Sequence, residues 1–192
     1  SVFLSKQNPQ VNKYFQNKFK SKNIIQFENQ IENLKINALL DKTIFEFQDK
    51  IRNKKFTNLH LNLLGRHQAE NACLAYLSAA QYLQDIKIEF NEELFRKALL
   101  AVKWYGRIQK ISSNPNIYID VSHNEAGIEQ TMKFIRSNFK KTNLKLLIGL
   151  LEDKNYKKIV DLINNIFSEI WITEPANHRK LPGEILQHQF AQ

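Results

Sequence analysis

At Gly65 the spacing of apolar residues changes. Before it, Leu59, Leu61 and Leu63 alternate with His60 and Asn62, the two-residue period of a strand with one buried face. After it, Ala69, Ala72, Cys73, Tyr76, Leu77, Ala80 and Leu83 return at every third or fourth position, the stripe of a long helix. A strand feeding straight into a helix, each with one apolar face, is the pattern of an α/β chain.

The flanking sequence extends the pattern in both directions. Residues 2–4 read as a short strand, and Pro9 opens a helix through Val11, Tyr14, Phe15 and Phe19, so the chain begins abruptly with a βα unit. Ile24-Ile25 and Ile44 to Phe47 read as further short strands. Asn91 caps a predicted helix in which Glu92 and Glu93 suit the first turn and Leu94, Phe95, Ala98, Leu99 and Val102 supply the buried stripe. From Trp104 to Pro115, Gly106 and a Ser-Ser-Asn-Pro run mark a boundary, giving expected domains of 1–103 and 104–192.

Beyond the boundary, strands and helices alternate. Ile117 to Val121 is a predicted strand, and Glu125 to Phe139 a helix through Ile128, Met132, Ile135 and Phe139. Leu144 to Leu151 is an apolar run suited to a strand covered on both faces. Asn155 precedes a helix with Tyr156, Ile159, Val160, Ile163 and Phe167, Ile170 to Thr173 is a strand, and Pro182 suits a first helical turn. The alternation predicts a mainly parallel sheet. Three such strands are few for a doubly wound sheet, so the expectation is a chain cut at its C-terminal side as well.

Composition narrows the class. With 43% apolar residues, the 192-residue chain can bury a core. Its single cysteine, Cys73, excludes an internal disulfide, and no Cys/His cluster has zinc-site spacing, which fits a reducing cytoplasm. No apolar run approaches the roughly 20 residues that span a bilayer, and no signal-peptide pattern opens the chain, so a soluble protein with no membrane partner is expected. The net charge is +9. Its lysines are scattered (Lys13, Lys18, Lys20, Lys22, Lys54, Lys55, Lys140, Lys141, Lys157, Lys158), which describes a generally basic surface better than a nucleic-acid reader.

Four clusters carry potential chemistry, all at the ends of predicted elements, where an α/β sheet meets its ligands. In Gly65-Arg66-His67-Gln68, His67 lies one helical turn from Asn71, whose amide can pair with the edge of adenine or cap and solvate the helix. In Trp104-Tyr105-Gly106-Arg107, the guanidinium can grip phosphate oxygens or stack on Trp104. In Asp120-Val121-Ser122-His123-Asn124, at a strand-to-helix turn, Asp120 can accept from ribose hydroxyls and His123 can donate to a phosphate or guide a proton, while Asn124 also caps the helix. The fourth set, Glu152-Asp153-Lys154 and Thr173 with Arg179, carries little weight alone.

Together, Leu64 to Gln68 with Asn71, Trp104 with Gly106-Arg107, and Asp120 to Asn124 resemble the succession of motifs in folylpolyglutamate and dihydrofolate synthases, ligases of the Mur type. Asp153-Lys154 and Thr173 with Arg179 match weaker positions of that family. The resemblance implies an α/β fold, the remnant of a Mur-ligase central domain followed by a Rossmann-like C-terminal domain. It implies an ATP-dependent enzyme that activates a pteroate or folate carboxylate as an acyl phosphate for attack by the amino group of L-glutamate, with dihydropteroate or tetrahydrofolate as acceptor.

It further implies that Asn71 contacts adenine, Arg107 the phosphates and Asp120 the ribose or the nucleotide-bound state, that Asp120 and His123 are the catalytic residues with His123 near the reacting groups, and that His67, Ser122 and Asn124 are substrate or phosphate contacts. Two departures stand out: Val121 and Ser122 replace the Gly-Ala of the family's Asp-Gly-Ala-His-Asn, and Ile108 replaces a frequent aromatic residue. No Gly-x-x-x-x-Gly-Lys-Ser/Thr loop occurs, so the chain alone is expected to be inactive; the resemblance implies Mg2+ ligands outside this chain and no metal ligand within, and a monomer is expected. A Mur-type ligase of another substrate, or a basic nucleic-acid-binding module, are the competing expectations.

Overall fold

The computed structural model describes residues 1–20, 23–139 and 143–191, so Lys22, Lys140 and Lys141 of the scattered basic set lie outside the described residues. The chain folds as two compact units, Ser1–Tyr105 and Gly106–Gln192. It is mixed α/β, with parallel and antiparallel sheets.

The first unit opens with β1 (Val2–Leu4), α1 (Pro9–Lys18) and β2 (Ile24–Gln26), the two strands pairing in parallel across the helix. Asn8 caps α1 by accepting from the Gln10 N–H, and Pro9 occupies the first turn, where a missing N–H costs nothing. A single helical turn, α2 (Phe27–Gln30), leads into the antiparallel sheet β3 (Ile31–Ala38), β4 (Thr43–Asp49) and β5 (Lys54–Leu61). In central β4 the alternation is complete: Thr43, Phe45, Phe47 and Asp49 point inward. Against that face lies α3 (Arg66–Asp85), through Ala69, Ala72, Cys73, Tyr76, Leu77 and Ala80. Phe47 and Phe56 stack at 4.8 Å, and Tyr76 meets Phe56 edge-on at 4.8 Å and Phe90 at 5.1 Å.

Asn91 caps α4 (Glu92–Ala101) by accepting from the Leu94 N–H. Arg96 ties this helix to β5, donating to the carbonyls of Thr57 (3.0 Å) and Asn58 (3.3 Å) and to Glu92 within its own helix.

The second unit opens with a hairpin, β6 (Gln109–Ser113) and β7 (Asn116–Ile119), joined through a cis Asn114–Pro115 bond. Then come α5 (Glu125–Asn138), β8 (Lys145–Ile148), α6 (Tyr156–Ile163), β9 (Glu169–Ile172) and α7 (Gly183–Phe190). β8 and β9 are parallel, Lys145 opposite Glu169 and Ile148 opposite Ile172. Ile128, Met132, Ile159, Val160, Ile163 and Leu186 pack with Ile148 into a separate core. The strand expected to be covered on both faces is covered on one: Leu147 and Trp171 are exposed, because the helices of this unit bury alternate residues only.

Candidate functional site

Asp120 follows β7, and its carboxylate is filled from within its own unit. Oδ2 accepts from the backbone N–H of Ile108 at 2.8 Å, while Oδ1 accepts from the Ser122 N–H at 2.8 Å and the Thr131 hydroxyl at 3.2 Å. The Gly106–Ile108 turn is held from a second side, since the Val121 N–H donates to the Gly106 carbonyl (2.8 Å) and the Gly106 N–H to Gln109 Oε1 (2.9 Å). Gly106 has φ +72° and Ile108 φ +47°. A side chain at Gly106 would bring its Cβ within 2.6 Å of Val121 Cγ1, so only glycine fits beneath Val121. Arg107 lies between these two left-handed residues, half-buried, and among the described residues no carboxylate pairs with its guanidinium.

His123 is exposed, with Nδ1 at 3.1 Å from the Val121 carbonyl. A carbonyl only accepts, so neutral His123 carries its proton on Nδ1 and keeps Nε2 as an acceptor. Asn124 caps α5 through the Gly127 N–H (2.8 Å), and Ser122 packs close over Gly127.

The loops at the carboxyl ends of the strands are linked side chain to side chain. Glu125, at the start of α5, accepts from Asn155 (2.8 Å) and pairs with Lys158 (2.9 Å), and these two, Lys158 foremost, hold its carboxyl below the usual range. Asp153 pairs with Lys154 (2.9 Å) and Arg179 (3.4 Å), with Lys154 the main cause of its lowered pKa. The Glu152 N–H donates to the Arg179 carbonyl at 2.9 Å, and Glu174 pairs with Lys180 while accepting from the Gly183 N–H. Gly149 is a point of close approach, where an added Cβ would stand 2.6 Å from the Thr173 carbonyl oxygen.

In the first unit, Gly65 (φ +103°) turns the chain into α3. Buried Gln68 sits between the two expected ligand residues: its amide N–H donates to His67 Nε2 (2.9 Å), and its Oε1 accepts from Asn71 at 3.4 Å. Arg66 is spent on the Ile36 carbonyl.

Arg107, Asp120, Ser122, His123 and Asn124 are thus gathered at one turn and one helix start, whereas His67 and Asn71 belong to the other unit. Sequence reasoning missed Thr131, Gln109 and the positioning part of Gln68. A threonine beside the apolar stripe of α5, only 9% exposed, was the one signal for the first of these. Among the described residues no three His, Cys, Asp or Glu side chains converge as a metal would require, and no helix is long and apolar enough to cross a membrane.

No protein-family model matches the chain. By sequence it is 26% identical over 113 residues to the dihydrofolate synthase/folylpolyglutamate synthase of Bacillus subtilis, covering 59% of this chain and 26% of that protein. It is 33% identical over 135 residues to the enzyme of the same name from Buchnera aphidicola subsp. Baizongia pistaciae, covering 70% and 31%. Its fold superposes on Mycobacterium tuberculosis folylpolyglutamate synthase complexed with ADP with a TM-score of 0.86, at 21% identity, covering 98% of this chain and 42% of that one.

Fold and sheet topology together define an α/β protein with the fold of the folylpolyglutamate synthase structures. Within that class the chain is a homologue of the folylpolyglutamate and dihydrofolate synthases over one region of those proteins. It spans 26% of the Bacillus subtilis relative and 30% of the folylpolyglutamate synthase of Lacticaseibacillus casei.

Proposed function

We propose that this chain is part of an ATP-dependent ligase that joins L-glutamate to a pteroate or folate carboxylate. On this reading residues 1–103 close an ATP-binding central domain and residues 104–192 belong to the C-terminal domain. The observation that carries it is the Gly106–Ile108 turn: its backbone is held on both sides of Arg107, whose guanidinium meets no carboxylate among the described residues, in the same unit as a helix start and a histidine whose Nδ1 is held by the Val121 carbonyl.

In such a reaction a carboxylate oxygen of the folate attacks the γ-phosphorus of ATP and ADP leaves. The amine of glutamate then attacks the acyl carbon, phosphate leaves, and the nitrogen gives up a proton. Phosphoryl transfer needs positioning and charge neutralisation. Arg107 supplies positive charge at the phosphates, Asn71 reads adenine, and Asp120 faces the ribose. His123 Nε2 takes the proton, with His67, Ser122 and Asn124 as polar contacts. Mg2+ would offset phosphate charge from ligands outside this chain. The protein acts as a cytoplasmic monomer.

The test is made on the full reading frame that encodes this chain. ADP release should require ATP, L-glutamate and either dihydropteroate or tetrahydrofolate together, and the 192-residue chain alone should release none. His123→Ala in the full protein should lower kcat by about 10²- to 10⁴-fold, the usual contribution of a positioned acid or base. ADP release that ignores glutamate, or that another amino acid supports better, overturns the reading.

A further inference from the structure

We propose that Thr131 and Asp120 form one positioning device for Arg107, fixing where its guanidinium meets the phosphates of a bound nucleotide. This rests on the role given to Arg107 above.

Thr131 lies on α5, among the residues that this helix buries, and its hydroxyl has two acceptors at equal distance, Asp120 Oδ1 and the Gly127 carbonyl, both at 3.2 Å. A hydroxyl has one proton to give. The charged carboxylate is the stronger acceptor, so the proton goes to Asp120 and the Gly127 carbonyl keeps its role in the helix.

With Thr131 and the Ser122 N–H on Oδ1, the carboxylate cannot rotate freely, and Oδ2 is aimed at the Ile108 N–H. That bond matters because of what Ile108 is. A β-branched residue at φ +47° is disfavoured and persists only where its surroundings over-determine it. Here they do so on both sides of Arg107, Asp120 holding Ile108 while the Val121 N–H and Gln109 hold Gly106. Ile108 is itself 3% exposed, so the turn is pinned by packing as well.

Asp120 therefore spends most of its acceptor capacity on holding the arginine turn and keeps one direction for a ribose hydroxyl. Of about four acceptor directions on a carboxylate, three are taken by the chain itself. Thr131, some distance along the helix, is a positioning residue with no need to touch a ligand.

The experiment compares Thr131→Val, Thr131→Ser, Arg107→Ala and the Arg107→Ala/Thr131→Val double variant in the full-length protein, measuring ADP and adenosine affinity by calorimetry. Thr131→Val should weaken ADP by about 10- to 150-fold, the span of one lost hydrogen bond to a charged group. Adenosine, which lacks phosphates, should bind as before, and Thr131→Ser should restore ADP binding. In the Arg107→Ala background Thr131→Val should have no further effect, since both changes remove the same contact.

Equal losses for ADP and adenosine, additive losses in the double variant, or an unchanged Thr131→Val protein each overturn the proposal. If Arg107→Ala itself leaves ADP affinity intact, it is the reading of Arg107 that fails, and this proposal falls with it. Should Thr131→Val lose its cooperative melting transition, Thr131→Ala enters the same cycle, because it also removes the hydroxyl that donates to Asp120 and leaves the carboxylate itself unchanged. Hydrogen exchange in the peptide covering 104–111 should quicken in whichever variant folds, and unchanged exchange there counts against the device.

Discussion

Asp49 has no exposed surface, yet it holds one end of the three-stranded sheet. Its Oδ2 accepts from the Tyr76 hydroxyl (2.9 Å) and Arg52 (3.1 Å), and its Oδ1 from the backbone N–H groups of Ile51 and Arg52. Arg52 in turn donates to Gln81 and Gln84, so the β4–β5 turn is fastened to α3 through one guanidinium. Asp49→Ala leaves that half-buried charge unpaired and should cost about 3–5 kcal/mol, whereas Tyr76→Phe, losing one donor, should cost about 1–3 kcal/mol. Urea titration at neutral pH measures both.

Burial first, then the neighbouring Asp49 carboxylate, push the Tyr76 phenol up from its ordinary value near 10. Its folded-state pKa is raised, so its contribution is fully present below pH 10 and is lost as pH climbs toward the folded value. Wild-type stability should therefore fall more steeply above pH 10 than that of Tyr76→Phe. Parallel slopes in the two proteins would contradict this. Cys73 behaves alike for the same reason: burial pushes its thiol up, so it should stay unreactive toward a disulfide reagent at pH 8 until the protein unfolds.

Among elements, α5 has the most to lose at its start. Asn124→Ala removes the bond to the Gly127 N–H and should cost about 1 kcal/mol, the ordinary worth of such a cap. At the end of β8, Gly149→Ala drives a methyl group against the Thr173 carbonyl, and about 1–3 kcal/mol is expected from the forced separation of β8 and β9. Thermal melts of the two variants report both. The helices were legible in the sequence because their stripes and caps are local: Asn91 and Asn124 cap where the spacing placed them, and Pro9 opens α1 as expected. Two strands were not. β3 alternates weakly, with Glu32, Asn33, Lys35 and Asn37 along it and a bulge where Asn33 takes φ +54°, so no run of apolar residues announces it. β6 ends in Ser112-Ser113 before Asn114-Pro115, which reads as a linker and is in fact the turn of a hairpin. The motif residues of the site were visible as types, but that three donors fill Asp120 depends on Ile108 and Thr131 arriving from other elements, which no spacing reveals.

At the scale of the whole molecule, the two hydrophobic cores share no residue. One is built from β4, β5, α3 and α4 through Phe45, Phe47, Phe56, Tyr76 and Leu99, the other from the second unit through Ile128, Met132, Ile159 and Ile163. Ile159 has no exposed surface, and its truncation to alanine opens a cavity with only partial relaxation around it. Ile159→Ala should therefore cost about 2–5 kcal/mol, and the loss should be confined to the unit that contains it. Followed by hydrogen exchange, peptides from 145–172 should lose protection while those from 43–61 and 66–85 keep theirs. The reciprocal change, Leu77→Ala, should reverse the pattern, since Leu77 is fully buried in the first core. A loss of protection that spreads through both sets of peptides in either variant would mean the units unfold as one cooperative body, and the separation of cores would then have no counterpart in stability.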